Sequence, residues 1–313
     1  MTALVIDTKT KYVAPRALGL ETHVGNTPLL DLSRWSSTAQ VSAKAEWFNP
    51  SGSVKDRPAL NIIQAALAAG DLTGGRRLLD STSGNMGIAY ATLGVSLGVL
   101  VTLTIPANAS PERLTILKAL GAELVLTDPS EGSDGAIQVA REMAAEHPEL
   151  YFYADQYSNP ANWQAHYLTT GPEIIEQTAG QVTHFVAGLG TSGTLMGVGR
   201  YLRQYNPAIE ILAVQPDAAF HGLEGLKHMA TAITPGIYEQ SFPDRIIEVS
   251  TEAAYQMTLR LAREAGLLVG VSSGAAAVAA LQLAAQLDHG SVVTVFPDAG
   301  YKYLSEKFWE ADQ

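Results

Sequence analysis

A lysine follows a cluster of turn-forming residues early in the chain, in the segment Asn49–Arg57, which reads NPSGSVKDR. Turn residues ahead of a helical pattern indicate that a helix opens here, with Lys55 in its first turn. A cation at the N-terminal end of a helix opposes the helix dipole, which favours the neutral amine that imine formation requires. Taken by itself, a solvated surface lysine is the simpler interpretation, so the case for chemistry depends on the other motifs.

A glycine-rich segment, Gly188–Gly193, matches the pattern G-x-G-x-x-G, between a predicted strand and a predicted helix. In that context the pattern is typical of dinucleotide sites. Such a site also requires Asp or Glu at the end of the following strand, to hold the ribose hydroxyls. Here the strand ends at Gln215, with Asp217 close by. The dinucleotide interpretation is therefore kept as an alternative.

The same loop carries hydroxyl side chains that suit a single phosphate better, in the run Gly190, Thr191, Ser192, Gly193 and Thr194. Backbone N–H groups at a helix N-terminus, together with neighbouring hydroxyls, form a cup for one phosphate dianion. We favour this interpretation over the dinucleotide site. For this loop alone, a tight strand-to-helix turn that needs glycine explains the sequence about as well.

The composition limits the classes of function. The chain has 313 residues, of which 47% are hydrophobic, and this is enough for two domains or one large α/β domain. A net charge of −11 without a basic run argues against nucleic-acid binding. With no cysteine there are no disulfides, thiolate zinc sites or cysteine nucleophile, and no metal site is predicted.

Residues Met1–Lys11 lack the pattern of a signal peptide, so we expect a cytoplasmic protein. The segment Ala265–Leu287 has no charged residue and approaches membrane-spanning length. It contains serine, glycine, glutamine and many alanines, and a strand at Leu267–Val271, a turn and a buried helix explain it better. No membrane contact is predicted.

The residues singled out above must be positioned by alternating strands and helices, which imply parallel sheets with right-handed crossovers. The predicted strands are Arg77–Asp80, Val99–Ile105, Glu123–Thr127, Tyr151–Ala154, His184–Ala187, Ile209–Val214, Leu267–Val271 and Ser291–Phe296. The predicted helices are Asn85–Leu97, Pro111–Leu120, Asp134–Glu146, Thr251–Ala265 and Ala275–Leu287. The number of strands, with a break near Ser158–Pro160, predicts an α/β protein with two such sheets.

Five separated motifs occur in an order and spacing that resemble one enzyme family. They are Asn49–Arg57, Ser81–Asn85, Gly190–Thr194, Gly270–Ala275 and Pro297–Gly300. Together they resemble the fold-type II pyridoxal 5′-phosphate (PLP) family of cysteine synthases (O-acetylserine sulfhydrylases) and cystathionine β-synthases. The resemblance runs from about Gly25–Leu29 to about Tyr303. It implies a tryptophan synthase β-like fold with an N-terminal domain over 42–158 and a C-terminal domain formed by 1–41 and 159–313.

The resemblance also implies a role for each matching residue. Lys55 would hold PLP as a Schiff base and, once displaced by substrate, remove the α-proton. Asn85 would bond the ring hydroxyl, Gly190–Thr194 the phosphate, and Ser272 would face the pyridine nitrogen. The loop residues Thr82, Ser83 and Asn85, with Gln156, would grip the substrate carboxylate.

These roles imply β-replacement. PLP spreads the charge of the α-carbanion into its ring, and a neutral Ser272 leaves the ring a weaker electron sink. The carbanion would then expel the β-leaving group of an activated serine, O-acetylserine or O-phosphoserine, and give an α-aminoacrylate. Addition of sulfur would yield L-cysteine, while closure of the carboxylate loop would exclude water.

One departure from the family lies in the substrate loop, where Met86 replaces a threonine that commonly contacts the carboxylate. A hydrogen bond to a charged group is worth about 1.5–3 kcal/mol, so the change could alter affinity or substrate identity. Equally, backbone N–H groups could grip the carboxylate while Met86 only packs. Both alternatives are kept.

The segment His221–Met229 corresponds to the entrance of the family's site, where some relatives that accept O-phosphoserine use a basic residue. Lys227, helped by His221 or His228, could meet a phosphate dianion. A solvated surface lysine is the alternative. Arg113 is another basic candidate, although it also fits a helix start.

Three further functions are weighed against cysteine formation. Two of them are reactions of the same fold: cystathionine β-synthase-type replacement, and β-elimination by a serine or threonine dehydratase. The third is a protein without catalytic activity that binds PLP for its structure. The sequences of the motifs around Lys55 and at Gly270–Ala275 favour the synthase. The partners expected from the resemblance are an amino-acid substrate, a sulfur donor that could be a sulfur-carrier protein, and a second subunit in a homodimer.

Overall fold

The computed structural model describes residues 19–82 and 84–310. In chain order the strands are β1 (Leu29–Asp31), β2 (Gln40–Ala45), β3 (Arg77–Ser81), β4 (Val101–Pro106), β5 (Glu123–Thr127), β6 (Tyr151–Tyr153), β7 (His184–Gly188), β8 (Glu210–Pro216), β9 (Arg245–Val249) and β10 (Ser291–Phe296). The α-helices are α1 (Asp56–Ala69), α2 (Asn85–Leu97), α3 (Pro111–Ala119), α4 (Gly132–Glu146), α5 (Pro160–Leu168), α6 (Thr170–Gln177), α7 (Gly193–Tyr205), α8 (Thr251–Ala265) and α9 (Val271–Ala284).

The chain divides into two compact units. Among the described residues, the first unit contains 19–24 and 55–162, and the second contains 25–54 and 163–310. Each unit has its own parallel or mainly parallel sheet with packed helices. The predicted α/β class with two such sheets is confirmed.

The first unit is built on a four-stranded sheet in the order β5-β4-β3-β6, with every pair parallel. Parallel strands are covered on both faces, which explains why β3 and β4 are almost wholly buried. Helices α1 and α2 pack together, and α4 packs on β3 and β4. Glycines in the left-handed region end α1 at Gly70 and α2 at Gly98, where other residues would be strained.

The second unit has a six-stranded sheet in the order β1-β2-β10-β7-β8-β9. Only β1 is antiparallel to its neighbour, and β2 pairs in parallel with β10 from Gln40 opposite Ser291 to Ala45 opposite Phe296. Helices α8 and α9 pack closely because of Gly274. A Cβ there would lie 2.1 Å from Thr258 Oγ1.

The observed units differ from the predicted domain boundaries in three places. Residues 42–54, predicted in the N-terminal domain, belong to the second unit because β2 lies between β1 and β10. Residues 19–24, predicted in the C-terminal domain, belong to the first unit, where Glu21 accepts a hydrogen bond from Ser96 Oγ at 3.1 Å. The other boundary falls at Asn162 rather than at residue 158.

The strand predicted at Leu267–Val271 is wrong. This segment forms only an isolated bridge between Val269 and Ala299, and α9 already begins at Val271. Gly266 caps α8 in the left-handed region and Gly270 caps α9, so only three residues lie between the two helix caps. No helix within residues 19–82 and 84–310 is both long and apolar enough to cross a membrane.

Candidate active site

The predicted substrate-carboxylate loop begins where β3 ends in the first unit. The Thr82 N–H donates to Thr104 O at 3.2 Å, and Thr82 Oγ1 accepts from the Gly84 N–H at 3.2 Å. Asn85 is the first residue of α2. The loop therefore joins the carboxyl end of a parallel strand to a helix N-terminus, a common arrangement at ligand sites. The remaining predicted member, Ser83, lies outside the described residues.

Met86, which departs from the family pattern, is only 2% exposed and belongs to the hydrophobic core of the first unit. Its neighbours there include Ile88 and Leu117. This burial favours the alternative in which Met86 packs and other groups grip the carboxylate.

Gln156 follows β6 and lies beside the start of the same loop. Its side-chain Nε2 donates to Ser81 O at 2.9 Å, and its backbone N–H donates to Asp80 Oδ2 at 3.3 Å. An amide nitrogen carries two N–H groups, so this bond uses one of the two donors. The structure thus brings Gln156 to the strand end that leads into Thr82.

Asp80 was not singled out from the sequence, although it is a charged residue that follows two leucines in a buried strand. It is fully buried, and its Oδ1 accepts the Ser81 N–H at 2.8 Å. Desolvation raises the pKa of its carboxyl group to about 7, against the opposing effect of hydrogen bonds that stabilise the charged form. The signal that could have found it was this isolated carboxylate directly before the loop.

Lys55 is the cap residue of α1 rather than a residue of its first turn. Its φ and ψ are −75° and −15°, and its carbonyl oxygen accepts the Ala59 N–H at 3.0 Å. The backbone of Lys55 is therefore fixed at the start of α1.

The segment before Lys55 is anchored in the second unit. Gly52 has φ 79° and donates to Asn49 O at 2.8 Å, while Val54 N–H donates to Pro297 O at 2.8 Å. Lys302 is 4% exposed, and its Nζ donates to Ser51 O at 3.1 Å and to Gly52 O at 3.3 Å. The motifs Asn49–Arg57 and Pro297–Gly300 therefore meet through backbone contacts.

The predicted phosphate loop joins β7 to α7 in the second unit. Ser192 caps α7 with φ 68°, in the left-handed region. A Cβ at Gly190 would lie 2.4 Å from Gly225 O, so only glycine fits the backbone there. Thr194 Oγ1 lies 3.3 Å from His166 Nε2, on α5.

The chemistry of this loop fits a bound phosphate group. Ser192 Oγ is buried and has no hydrogen-bond partner among the residues that the structure describes. A buried hydroxyl without a partner costs free energy, which a bound phosphate oxygen would recover. Because the hydroxyl stands at the N-terminus of a helix of 13 residues, the dipole favours the same anion.

Ser272 lies in the first turn of α9 in the same unit and is 7% exposed. The motif that contains Ser272 requires glycine at position 270, because a Cβ there would lie 2.2 Å from Asp298 Oδ1. The adjacent Ser273 is fully buried, and its Oγ has no hydrogen-bond partner within the described ranges.

Lys227 is half-buried, and its backbone packs on the start of the phosphate loop. Its N–H donates to Leu189 O at 2.7 Å. Burial is the main cause of a lowered pKa at His221, to which the charge of His228 adds. The predicted entrance segment and the predicted phosphate loop are therefore neighbours in the second unit.

The dinucleotide alternative is disfavoured by Gln215, at the strand end where a ribose-binding carboxylate would stand. Its side chain is engaged within the protein. Nε2 donates to Glu248 Oε1 at 3.1 Å, and Oε1 accepts the Met229 N–H at 3.4 Å. Asp217 is exposed and lies beyond the strand.

Comparisons with known proteins agree with the chemistry of these motifs. Residues 20–298 match the family described as pyridoxal-phosphate dependent enzyme. A cysteine synthase of Aquifex aeolicus is 53% identical over 291 residues, which cover 90% of this chain and 89% of that protein.

Solved structures give the same result. A cysteine synthase (OASS) from Entamoeba histolytica has a TM-score of 0.89 at 35% identity, covering 98% of this chain and 95% of that one. An O-acetylserine-dependent cystathionine β-synthase from Helicobacter pylori has a TM-score of 0.87 at 34% identity, covering 93% and 98%. The chain is therefore similar, over nearly its whole length, to fold-type II enzymes.

Proposed function

The chain belongs to the family of pyridoxal-phosphate-dependent enzymes, and we propose that Lys55 and the loop Gly190–Thr194 are the centre of its active site. Its reaction is that of a cysteine synthase, in which a sulfur nucleophile replaces the β-substituent of an activated serine and gives L-cysteine. The observation that carries the site assignment is the buried Ser192 hydroxyl at the start of α7, which has no hydrogen-bond partner in the part of the chain that the structure describes.

PLP, when bound, supplies the electron sink that makes the α-proton of an amino acid acidic enough to remove. Lys55 Nζ would be the atom that holds the cofactor, and the same nitrogen would take the α-proton of the substrate. An amine at the N-terminus of α1 suits this task, because the helix dipole favours its neutral form.

Phosphate binding is assigned to the N–H groups and hydroxyls of Gly190, Thr191, Ser192, Gly193 and Thr194. Ser272 is assigned to the pyridine nitrogen, where a neutral hydroxyl does not stabilise a proton as a carboxylate would. Asn85 is assigned to the ring hydroxyl. These side chains stand at helix starts, where backbone N–H groups add further donors.

Substrate carboxylate binding is assigned to Thr82, Ser83, Asn85 and Gln156. The bond from Gln156 Nε2 to Ser81 O fixes the amide beside the loop and leaves its second N–H to donate. Met86 contributes to this loop through its packing in the core rather than through a polar contact. Donors held in place before substrate arrives lower the cost of binding and exclude competing water.

Acetate is the proposed β-leaving group, so O-acetylserine is the proposed substrate. Formation of cystathionine is the less favoured alternative reaction. O-Phosphoserine stays a hypothesis that depends on Lys227. Turnover of both activated serines by wild type and Lys227→Ala tests it. If Lys227 selects a phosphate, the variant loses the reaction with O-phosphoserine at least tenfold and keeps that with O-acetylserine; an unchanged preference rejects the hypothesis.

The test of the function is formation of cysteine by the purified holoenzyme from O-acetylserine and sulfide. We expect cysteine with little keto acid, no product with Lys55→Ala, and loss of the visible absorption of bound cofactor in that variant. Lys118→Ala, which changes an exposed lysine of α3, is the control and should behave as wild type. Steady release of keto acid without cysteine would instead identify a dehydratase.

A homodimer, a cytoplasmic location and a sulfur-carrier protein as donor are further proposals, of which the first and the last derive from the family resemblance. Sedimentation of the purified protein tests the first. A comparison of sulfide, thiosulfate and a carrier-protein thiocarboxylate as donors tests the last. A donor that supports cysteine formation at the highest kcat/KM identifies the partner class.

A further inference from the structure

The substrate loop of the first unit is preceded by a carboxylate that none of the proposed roles uses. Asp80 is the fourth residue of β3, and its side chain is fully buried. It stands two positions before Thr82, in a strand whose other central residues, Leu78 and Leu79, are apolar. A buried carboxylate is costly unless several donors satisfy it, so its hydrogen bonds indicate what it does.

The two oxygens of Asp80 join two separate pieces of chain. Oδ1 accepts the Ser81 N–H at 2.8 Å, and Oδ2 accepts the Gln156 N–H at 3.3 Å. Gln156 Nε2 donates back to Ser81 O at 2.9 Å. Asp80, Ser81 and Gln156 therefore form a closed ring of hydrogen bonds, which we call the carboxylate ring.

The carboxylate ring lies directly behind the residues assigned to the substrate. Ser81 is followed by Thr82, and Gln156 is itself an assigned carboxylate donor. The Gln156 carbonyl oxygen accepts Asn162 Nδ2 at 2.7 Å, so its backbone is fixed on both sides. A shift of Asp80 would consequently move the strand end and the glutamine together.

Several titratable side chains surround Asp80. Tyr90 lies on α2, Tyr153 on β6, and Asp155 and Tyr157 follow β6, while Asp134 and Arg141 of α4 face the tyrosines. Burial raises the pKa of the Tyr90 and Tyr157 hydroxyls, so both remain neutral. Asp80 is thus the group of this cluster whose charge can change near neutral pH, because desolvation raises its pKa to about 7.

We propose that Asp80 is a positioning residue that, through the carboxylate ring, holds Gln156 and the Thr82 loop in the geometry that binds the substrate carboxylate. This inference rests on the proposed function of Gln156 and the loop, and it adds a residue that does not touch the substrate. The charged form accepts both N–H groups well. The protonated form has one good acceptor oxygen, so the ring loosens on acidification.

The test uses the holoenzyme and L-alanine, an amino acid with the carboxylate and amine of the substrate but no leaving group. Its dissociation constant is measured from the change in visible absorption of the bound cofactor. For Asp80→Asn we expect a dissociation constant raised about tenfold, equivalent to about 1.4 kcal/mol. With O-acetylserine, KM should rise by a similar factor while kcat changes less than threefold.

Two controls separate positioning from general destabilisation. Thr102→Val removes a buried hydroxyl from the neighbouring strand β4, where Thr102 pairs with Leu79 and its hydroxyl bonds Arg77 and Glu123, and should leave the dissociation constant unchanged. Gln156→Ala should weaken binding, and adding Asp80→Asn to it should have little further effect, because both act through one ring. Additive losses would contradict the proposal.

Wild type provides a second measurement that does not depend on the variant folding. Amide hydrogen exchange at Ser81 and Gln156, corrected for its intrinsic pH dependence, should accelerate between pH 8 and pH 6, and L-alanine binding should weaken over the same interval. In Asp80→Asn both pH dependences should be absent. The proposal fails if wild type shows neither, or if the variant binds as wild type does.

The two proposals fail in different ways. If the protein is not a cysteine synthase, wild type makes no cysteine, whatever Asp80 does to the binding of L-alanine. If wild type makes cysteine and Asp80→Asn keeps its KM and its pH profile, only the positioning role is overturned.

Discussion

Lys302 Nζ donates a hydrogen bond to the carbonyl oxygen of Gly52 at 3.3 Å, although 250 positions separate the two residues. A second bond, to Ser51 O at 3.1 Å, places the same ammonium group over the turn that leads to Lys55. Two carbonyl dipoles directed at one buried cation stabilise a turn that contains a left-handed glycine. The backbone turn that leads to Lys55 is therefore held by a second, buried lysine.

Replacement of that structural lysine, as Lys302→Met, keeps the aliphatic stem and removes the charge. We expect the free energy of unfolding to fall by about 1.5–3 kcal/mol, because hydrogen bonds to a charged group are lost and two buried carbonyl groups lose a donor. Cofactor affinity should fall as well. Chemical unfolding and PLP titration measure the two effects, and Lys307→Met, at an exposed lysine nearby, should change neither.

Gly190→Ala tests the phosphate loop. The new methyl group would lie 2.4 Å from Gly225 O, so the backbone must move, and we expect the dissociation constant for PLP to rise at least tenfold. Gly199→Ala is the matched control, since its methyl group would lie 2.7 Å from Phe242 Cε1, away from the loop. That variant should lose stability yet bind PLP as wild type does; equal losses of PLP affinity in both would contradict the assignment.

Met86→Thr restores the hydroxyl that the family pattern contains. Because Met86 is 2% exposed and packs in the core, we expect the free energy of unfolding to fall by about 1–3 kcal/mol and KM for O-acetylserine to stay within about twofold. Met86→Leu, which nearly conserves volume, should lose less stability. A tenfold fall in KM for the threonine variant would show instead that the hydroxyl reaches the substrate.

The buried carboxyl group of Asp80 predicts how stability depends on pH. Its pKa is raised from 3.8 to about 7, so between these values the folded protein holds a proton that the unfolded chain has lost. Stability is then lost as pH rises through this interval, by on the order of 1.4 kcal/mol for each unit. Relative to wild type, Asp80→Asn should therefore gain stability from pH 5 to pH 7 and no more above about pH 8.

Urea unfolding at each pH measures this difference. Asp128→Asn is the control, because hydrogen bonds from Ser130 lower the pKa of that exposed carboxyl group. Its titration lies below the interval, so its stability relative to wild type should not change between pH 5 and pH 8. A flat difference for Asp80→Asn would show that Asp80 is ionised throughout.

Much of the fold could be predicted from local sequence. Helices Asn85–Leu97 and Thr251–Ala265 and the strand Ser291–Phe296 have the predicted bounds, because caps and apolar runs define them within a few residues. Strands β1, β2 and β9 were not predicted. They are short or carry charged residues, such as Lys44 in β2, whose burial depends on Glu173, 129 positions away.

The site residues were predicted because each stands in a short motif with turn chemistry. Gly190 and Gly270 are required by close backbone or side-chain approaches that only glycine allows. Asp80 was missed because its role arises from a bond to Gln156, 76 positions later in the chain. Contacts of that separation leave no periodicity for a single sequence to display.

The parallel pairing of β2 with β10 has a consequence for the order of folding during synthesis. Residues 55–162 are continuous and leave the ribosome early, so the four-stranded sheet can form while translation proceeds. Residues 40–45 are made before them but must wait for 291–296. For most of translation β2 of the nascent chain can therefore pair only with β1, and its open edge is where we expect a chaperone to bind.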